Sequence, residues 1–242
     1  MASRGAAAKG LLGLFLAFGW LQPVAAADHY FSQPITTRAE FYAFARTLPL
    51  NIRDQDHYPA ILQKIETYLN HFRATGKEEQ YALEATKQAL YGCQSGGYGI
   101  GAILVDPRGN IVERAHNEMR QQARSDLHGE MTVLTRFETK RTSPVWGNGY
   151  QLPPGYVVVL SAEPCPMCMI RLASAGVNTL YVTRNDHDSL SRQMDRLPGY
   201  WRDLCRQYSF APARVSEELS RVAYLLFYTL VFLDTPRASP SK

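Results

Sequence analysis

Residues 156–183 read YVVVLSAEPCPMCMIRLASAGVNTLYVT, and the fold turns on this stretch. Its opening segment, YVVVLS (156–161), is rich in β-branched residues and reads as a buried strand. Cys165 then stands where a helix N-cap would be, with Pro166 at the first helical position, where proline is favoured. The helix is expected to reach about Ala175, and Gly176 ends it. TLYVT (179–183) is a second strand. A helix separates the two strands, so they are expected to lie parallel.

Working towards the N-terminus, LHGEMTVLTRF (127–137) carries Leu127, Met131, Leu134 and Phe137 at helical spacing, which predicts that these four form its core face. Ser125 or Asp126 is the expected cap, placing His128 and Glu130 in the first turn. Upstream, IGAILV (100–105) and residues 110–115 flank the turn Asp106-Pro107-Arg108-Gly109. They make a hairpin, closed by His116 and Asn117, so the sheet begins antiparallel. A helix is expected over 77–91, with Tyr81, Ala82, Ala85, Ala89 and Leu90 on its buried stripe, followed by a glycine-rich loop to Gly101. This loop lacks the pattern of a phosphate-binding P-loop.

Towards the C-terminus, residues 184–210 show no clear period. Residues 212–215 suit a short last strand. Residues 217–233 are apolar at Leu219, Val222, Leu226, Leu230 and Leu233, as in a long docking helix. The fold class expected is α/β: a three-layer α/β/α sandwich around a mixed sheet.

The ends of the chain read differently. Residues 1–27 have the plan of a secretory signal: Arg4 and Lys9, then the apolar LLGLFLAFGWL (11–21), then Val24-Ala25-Ala26-Ala27 before Asp28. Cleavage is expected after Ala27, which places the mature protein outside the cytoplasm, periplasmic or secreted. The apolar run is short for a membrane span. Residues 28–76 form a helical extension: Thr37 caps a first helix, and Ile61, Ile65, Tyr68, Leu69 and Phe72 mark a second. The main domain is expected over 77–234, with a disordered tail at 235–242.

Composition excludes some classes of function. The chain is 45% hydrophobic and 20% charged, as in an ordinary globular protein. Of the formal charge of +4, Arg4 and Lys9 supply two units, leaving +2 for residues 28–242. No basic stripe of the kind that binds nucleic acid is present.

The chemistry sits in LHGE (127–130) and PCPMC (164–168). His128, Cys165 and Cys168 offer one imidazole and two thiols, three of the four ligands of a tetrahedral zinc. The remaining position is free for water. Cys165 and Cys168 are three positions apart, so in a helix's first turn both sulfurs face the same way. The free N–H groups and dipole at that end favour thiolates. Glu130 need not bind metal and can carry a proton between water, a ring nitrogen and a leaving amine. Each motif alone is weak. Cys-x-x-Cys also suits a disulfide, a redox pair or half of a structural zinc site.

Together, the GAILVDPRGNIVERAHN hairpin (101–117), LHGE and SAEPCPMC (161–168) resemble the cytidine/deoxycytidylate deaminase superfamily of zinc enzymes. That resemblance covers residues 77–233. It implies a hydrolytic deaminase of a nucleobase or nucleoside, with Zn2+ held by His128, Cys165 and Cys168 and Glu130 as the catalytic proton shuttle. It also implies that Asn117 hydrogen-bonds the substrate and that the Gly129 N–H faces the substrate or the water. Many relatives are dimers, so a homodimer is expected. AHNEMR (115–120) resembles fungal-type cytosine deaminases, EPCPMC (163–168) bacterial guanine and cytosine deaminases, and RVSEELSRVAYLLF (214–227) the tRNA adenosine type. The base therefore stays open. An exported deaminase acting on polynucleotide and a zinc-stabilised binding module without activity are the competing readings. Tyr200-Trp201 offers an aromatic lid or plain packing. Cys93 and Cys205 are candidates for a disulfide.

Overall fold

A computed structural model of the chain describes residues 35–140, 151–185 and 194–233. The signal expected at 1–27, the start of the extension, most of the loop at 141–155 and the tail lie outside the described residues.

The described chain runs α1 (Arg38–Arg46), α2 (Tyr58–His71), α3 (Lys77–Gln94), β1 (Gly101–Val105), β2 (Ile111–His116), α4 (Met119–Gln122), α5 (Gly129–Thr139), β3 (Val157–Ala162), α6 (Pro166–Ser174), β4 (Asn178–Thr183), a 3-10 turn (Met194–Arg196), α7 (Gly199–Cys205), β5 (Phe210–Pro212) and α8 (Glu217–Phe232). The strands form one sheet in the order β2-β1-β3-β4-β5. β1 is antiparallel to both β2 and β3, whereas β3–β4 and β4–β5 are parallel. This is the mixed sheet expected, with the hairpin and the strand–helix–strand unit where the sequence placed them. Gly176, at φ +77°, ends the helical segment before β4, a conformation that costs a glycine little.

Side chains on β1 alternate between the two faces of the sheet. Ala102 and Leu104 join Val133 and Leu134 of α5 and Leu172 of α6 in one core. Ile103 and Val105 meet Ala85 of α3 and Val159 of β3 on the other side. Helices thus cover both faces, giving the α/β/α sandwich. Replacing a core leucine such as Leu104 with alanine in such packing costs about 2–5 kcal/mol.

The extension is not a separate appendage. Thr37 and Glu40 form a capping box that starts α1. α1 then packs on α8, with the Phe44 ring 5.3 Å from that of Tyr224 and the Arg221 guanidinium over Phe44. α2 packs on α3, and Tyr58 donates to the Cys93 carbonyl at 2.6 Å. α8 therefore has the sheet and α3 on one side and α1 on another, which explains why it is apolar nearly all round. No helix of the described residues is long and apolar enough to cross a membrane.

Several details differ from expectation. The last strand is Phe210–Pro212 rather than 212–215, with Pro212 at its end, where the missing N–H breaks no ladder. Residues 199–205, unreadable in sequence, form α7, whose Leu204 and Cys205 pack against Met169 of α6. Cys93 and Cys205 are both buried free thiols in different surroundings: Cys93 lies by the Leu226 carbonyl and Cys205 by Met169 and Ala173. They do not form the disulfide considered. Tyr200 and Trp201 stack edge to face on the surface of α7, and Tyr200 is 72% exposed.

α5 is the main correction. Neither Ser125 nor Asp126 caps it. Asp126 instead takes the Arg124 guanidinium, and His128 is the N-cap. The buried set is Gly129, Glu130, Thr132, Val133 and Leu134; Phe137 packs partly buried against the core as expected, whereas Leu127 and Met131 are only half-buried. The helix begins where the chain turns inward at His128, so its first turn points Gly129 and Glu130 into the protein.

Candidate active site

The topology brings the chemistry to one end of the sheet. β2, β3 and β4 all run the same way, so His116-Asn117, Glu163-Pro164-Cys165 and Arg184-Asn185 follow from the same edge. Open α/β sheets bind ligands at the carboxyl ends of their strands. β1 starts at this edge too, so the glycine-rich segment before Gly101 arrives there.

Two helix N-termini meet at that end. His128 is the N-cap of α5 and Cys165 the N-cap of α6, and neither side chain caps its own helix. Both are free to turn to a common point. His128 Nδ1 lies 3.7 Å from Cys165 Sγ and 3.5 Å from Cys168 Sγ, and the three ligand atoms fall within 4.8 Å of one another. Zn–S bonds of about 2.3 Å and Zn–N bonds of about 2.0–2.1 Å at a tetrahedral centre require N···S separations of about 3.5 Å. The donor set therefore fits zinc in both kind and spacing. Both thiols are free and aimed at the imidazole, so the disulfide reading of Cys-x-x-Cys does not hold in this structure. The group has three members, the number that leaves a tetrahedral metal one open position.

The electrostatics suit a cation. The Cys165 thiol is lowered to about 4, chiefly by the hydrogen bond it receives from Cys168 and, against the cost of burial, by His128. Cys168, which donates that bond and is buried, is pushed up. His128 is raised, first by its hydrogen bond to Cys165. One thiolate is thus already favoured, as metal binding needs.

Glu130 follows the histidine by two positions, in the first turn of α5. It is 3% exposed, and burial, helped by the charge on Cys165, raises its carboxyl to about 7. Its Oε2 has no hydrogen-bond partner among the described residues. Asn117 is 1% exposed. Its backbone N–H donates to the Ile100 carbonyl at 2.9 Å, and its Oδ1 accepts from the Met119 N–H at 3.2 Å. Its Nδ2 is buried without a partner. So Asn117 does shape the turn, yet one end of its amide is left over. Gly129 is buried against Ile100 and the Asn117 backbone: a Cβ there would lie 3.2 Å from the Ile100 carbonyl. His116 hydrogen-bonds the Asn117 carbonyl through Nδ1 at 3.1 Å, a structural contact.

Sequence reasoning missed three supporting residues. Glu163 is buried, accepts from the Asn185 N–H at 3.3 Å and donates its own N–H to Thr183 at 2.8 Å, pinning the Pro164-Cys165 turn to the end of β4. Its position directly before Pro-Cys was a readable signal. Glu118 receives Gln122 and Arg136, tying α4 to α5. Gln121, on α4, had no signal in the sequence.

A mixed α/β/α sandwich with a His-Cys-Cys metal group at its strand ends and a buried carboxylate alongside is the architecture of a zinc-site enzyme class. Residues 75–184 match the model of the cytidine and deoxycytidylate deaminase zinc-binding region, and the His128, Cys165 and Cys168 group lies within that matched stretch. A tRNA-specific adenosine deaminase of Bacillus subtilis is 36% identical over 92 residues, 38% of this chain and 52% of the relative. A tRNA(Ile)-lysidine synthase of Thermus thermophilus is 34% identical over 108 residues, 45% of this chain and 18% of the relative. The chain thus spans about half of the first relative and under a fifth of the second. Among solved structures, guanine deaminase from Nitrosomonas europaea is 17% identical with a TM-score of 0.47, covering 75% of this chain and 99% of that one.

Proposed function

We propose that this chain is a zinc-dependent hydrolytic deaminase of a nucleobase or nucleoside. The observation that carries the reading is the buried Glu130, one carboxyl oxygen of which has no partner among the described residues, beside a three-ligand metal group with one position open. A purely structural zinc has no use for such a carboxylate.

The reaction balances as amine plus water giving carbonyl plus ammonia. His128, Cys165 and Cys168 hold the metal. Zinc supplies Lewis-acid chemistry that lets water lose a proton near neutral pH. Glu130 takes one proton of that water and gives it to the ring nitrogen beside the reacting carbon; it then takes the second proton, from the hydroxyl added at that carbon, and gives it to the departing amine. Burial, which raises the Glu130 carboxyl above its ordinary value in the metal-free chain, favours a group that both gives and takes a proton. Asn117 Nδ2 donates to an acceptor on the substrate, and the first-turn N–H of Gly129 faces the reacting centre. The snug seat of Gly129 on Ile100 fixes that N–H in place.

A polynucleotide substrate is the second reading, favoured by the tRNA-specific Bacillus relative. The near-neutral balance of the mature chain weighs against it. Export after cleavage at Ala27 and a homodimer complete the proposal. N-terminal sequencing of the exported protein checks the first, where an intact Met1 would refute it. Light scattering checks the second.

Ammonia release by the zinc-loaded chain, offered cytosine, guanine, adenine, their nucleosides and a short single-stranded oligonucleotide, tests the function. Release from a small molecule is expected. Release from the oligonucleotide alone favours the second reading. A zinc-bound chain silent towards all of them overturns both.

A further inference from the structure

Gln121 stands out once the metal group and its partners are assigned. Both polar atoms of its side-chain amide, Nε2 and Oε1, are enclosed by protein and have no hydrogen-bond partner among the described residues. An amide buried this way costs about 1–3 kcal/mol for each unpaired group. The chain has made room for it. A Cβ on Gly97 would lie 2.5 Å from Gln121 Nε2, 3.0 Å from Oε1 and 3.1 Å from the Asn117 carbonyl. Only the bare glycine at 97 admits the amide beside Asn117.

Its surroundings belong to the active-site end of the sheet. Gly97 lies in the segment leading into β1, whose next residues include Ile100, and the Ile100 carbonyl holds the Asn117 N–H and abuts Gly129. Asn117 Nδ2 and Glu130 Oε2 are likewise buried and unpaired. Four unpaired polar atoms thus fall on one short run of chain, 117–130, that also carries a metal ligand.

We infer that the Gln121 amide is a specificity-determining group that recognises a free base rather than a nucleoside. This rests on the deaminase reading above. A side-chain amide offers a donor and an acceptor side by side. A free base presents the complementary pair on the edge remote from its exocyclic amine: N1–H beside O2 in cytosine, N9–H beside N3 in adenine. In the nucleoside that nitrogen carries the sugar, so the donor is gone and the amide stays unpaired. Sites built to hydrogen-bond a group reject analogues lacking it far more strongly than apolar pockets reject a missing methylene.

The test is calorimetric binding of cytosine, cytidine, adenine and adenosine to the zinc-loaded full chain, with ammonia release and melting temperature measured alongside. One free base is expected to bind the wild type at least about tenfold more tightly than its nucleoside. Gln121→Leu should weaken that base by about 10- to 100-fold while leaving zinc content intact. Its melting temperature should hold or rise, because two unpaired groups are removed. Gly97→Ala, which displaces the amide without deleting it, should weaken the same base. A Gln121→Leu protein that melts lower yet binds the base unchanged has lost only structure, and the inference falls. Equal affinity of the wild type for base and nucleoside also overturns it. A wild type that deaminates while Gln121→Leu binds normally sinks this inference alone. Gln121-dependent binding without any ammonia sinks the deaminase reading alone.

Discussion

Glu79 and Glu130 are both buried in the first turn of a helix, at 3% exposure each, and the protein treats them in opposite ways. Glu79, in α3, accepts the N–H and the hydroxyl of Thr75, each at 2.7 Å, and the N–H of Ser216 at 2.8 Å. Burial alone would raise its carboxyl, but these hydrogen bonds outweigh it and bring the value to about 2. Glu130 has one oxygen with no partner, and burial raises it to about 7. The first is a joint: it ties the start of α3 to Ser216, the N-cap of α8. The second keeps one oxygen without a partner among the described residues, which suits the proton carrier proposed above. The two carboxylates are told apart by what surrounds them, since their helix positions are nearly the same.

The largest break in this comparison is removal of the metal. Cys168→Ala should bring zinc from one equivalent to a small fraction of one, abolish ammonia release and lower the melting temperature, as elemental analysis and calorimetry would show. Full retention of zinc would remove Cys168 from the ligand set. Next comes Glu130→Gln. It keeps the shape and the zinc, and should cut turnover by about a hundred- to ten-thousand-fold. Because a strained carboxylate is replaced by a neutral amide, its stability should hold or rise. Turnover near that of the wild type would end the proton-shuttle role.

The zinc-stripped protein sharpens the contrast further through pH. Glu130 is raised above its ordinary value of 4.5, so its contribution is fully present below 4.5 and is lost as pH rises through about 7. That loss is of the order of 3 kcal/mol for a shift of this size. Urea unfolding of the stripped chain between pH 5 and 8 should therefore show the wild type losing stability relative to Glu130→Gln as pH rises. A difference between the two that does not change with pH would place the titration elsewhere.

How much of this was legible beforehand follows the same division. The hairpin, the strand–helix–strand unit and the Cys165 cap were readable because they rest on local rules: apolar runs, turn residues, proline at a helix start. His128, Glu130, Cys165 and Cys168 were readable because their spacing is itself the chemistry. The face of α5 was misread because periodicity alone would bury Leu127 and Met131, whereas His128 starts the helix and turns Glu130 inward. α4 is four residues long, too short to show a period, and α7 exposes an aromatic side chain that pattern would bury. Gln121 and Glu79 were beyond reach for another reason. Whether a buried polar group is paired depends on residues distant in sequence: Ser216 for Glu79, Gly97 for Gln121.

The smallest effect isolates Glu79. Glu79→Gln keeps the shape of the side chain but leaves a single neutral oxygen where two charged ones took the Thr75 and Ser216 donors, so about 2 kcal/mol should be lost at pH 7. In a domain of this size that lowers the melting temperature by about 4–8 °C. The carboxylate is depressed from 4.5 to about 2, so the stability it supplies is complete above 4.5 and drains as pH falls towards 2. The gap between wild type and variant should therefore be constant from pH 7 to 5 and narrower at pH 3, opposite in sign to the trend set by Glu130. The variant should keep its zinc and its turnover, because α3 meets α8 through this residue and the metal ligands lie on other elements. A gap that stays fixed down to pH 3 would mean that packing, and not the buried charge, joins the two helices.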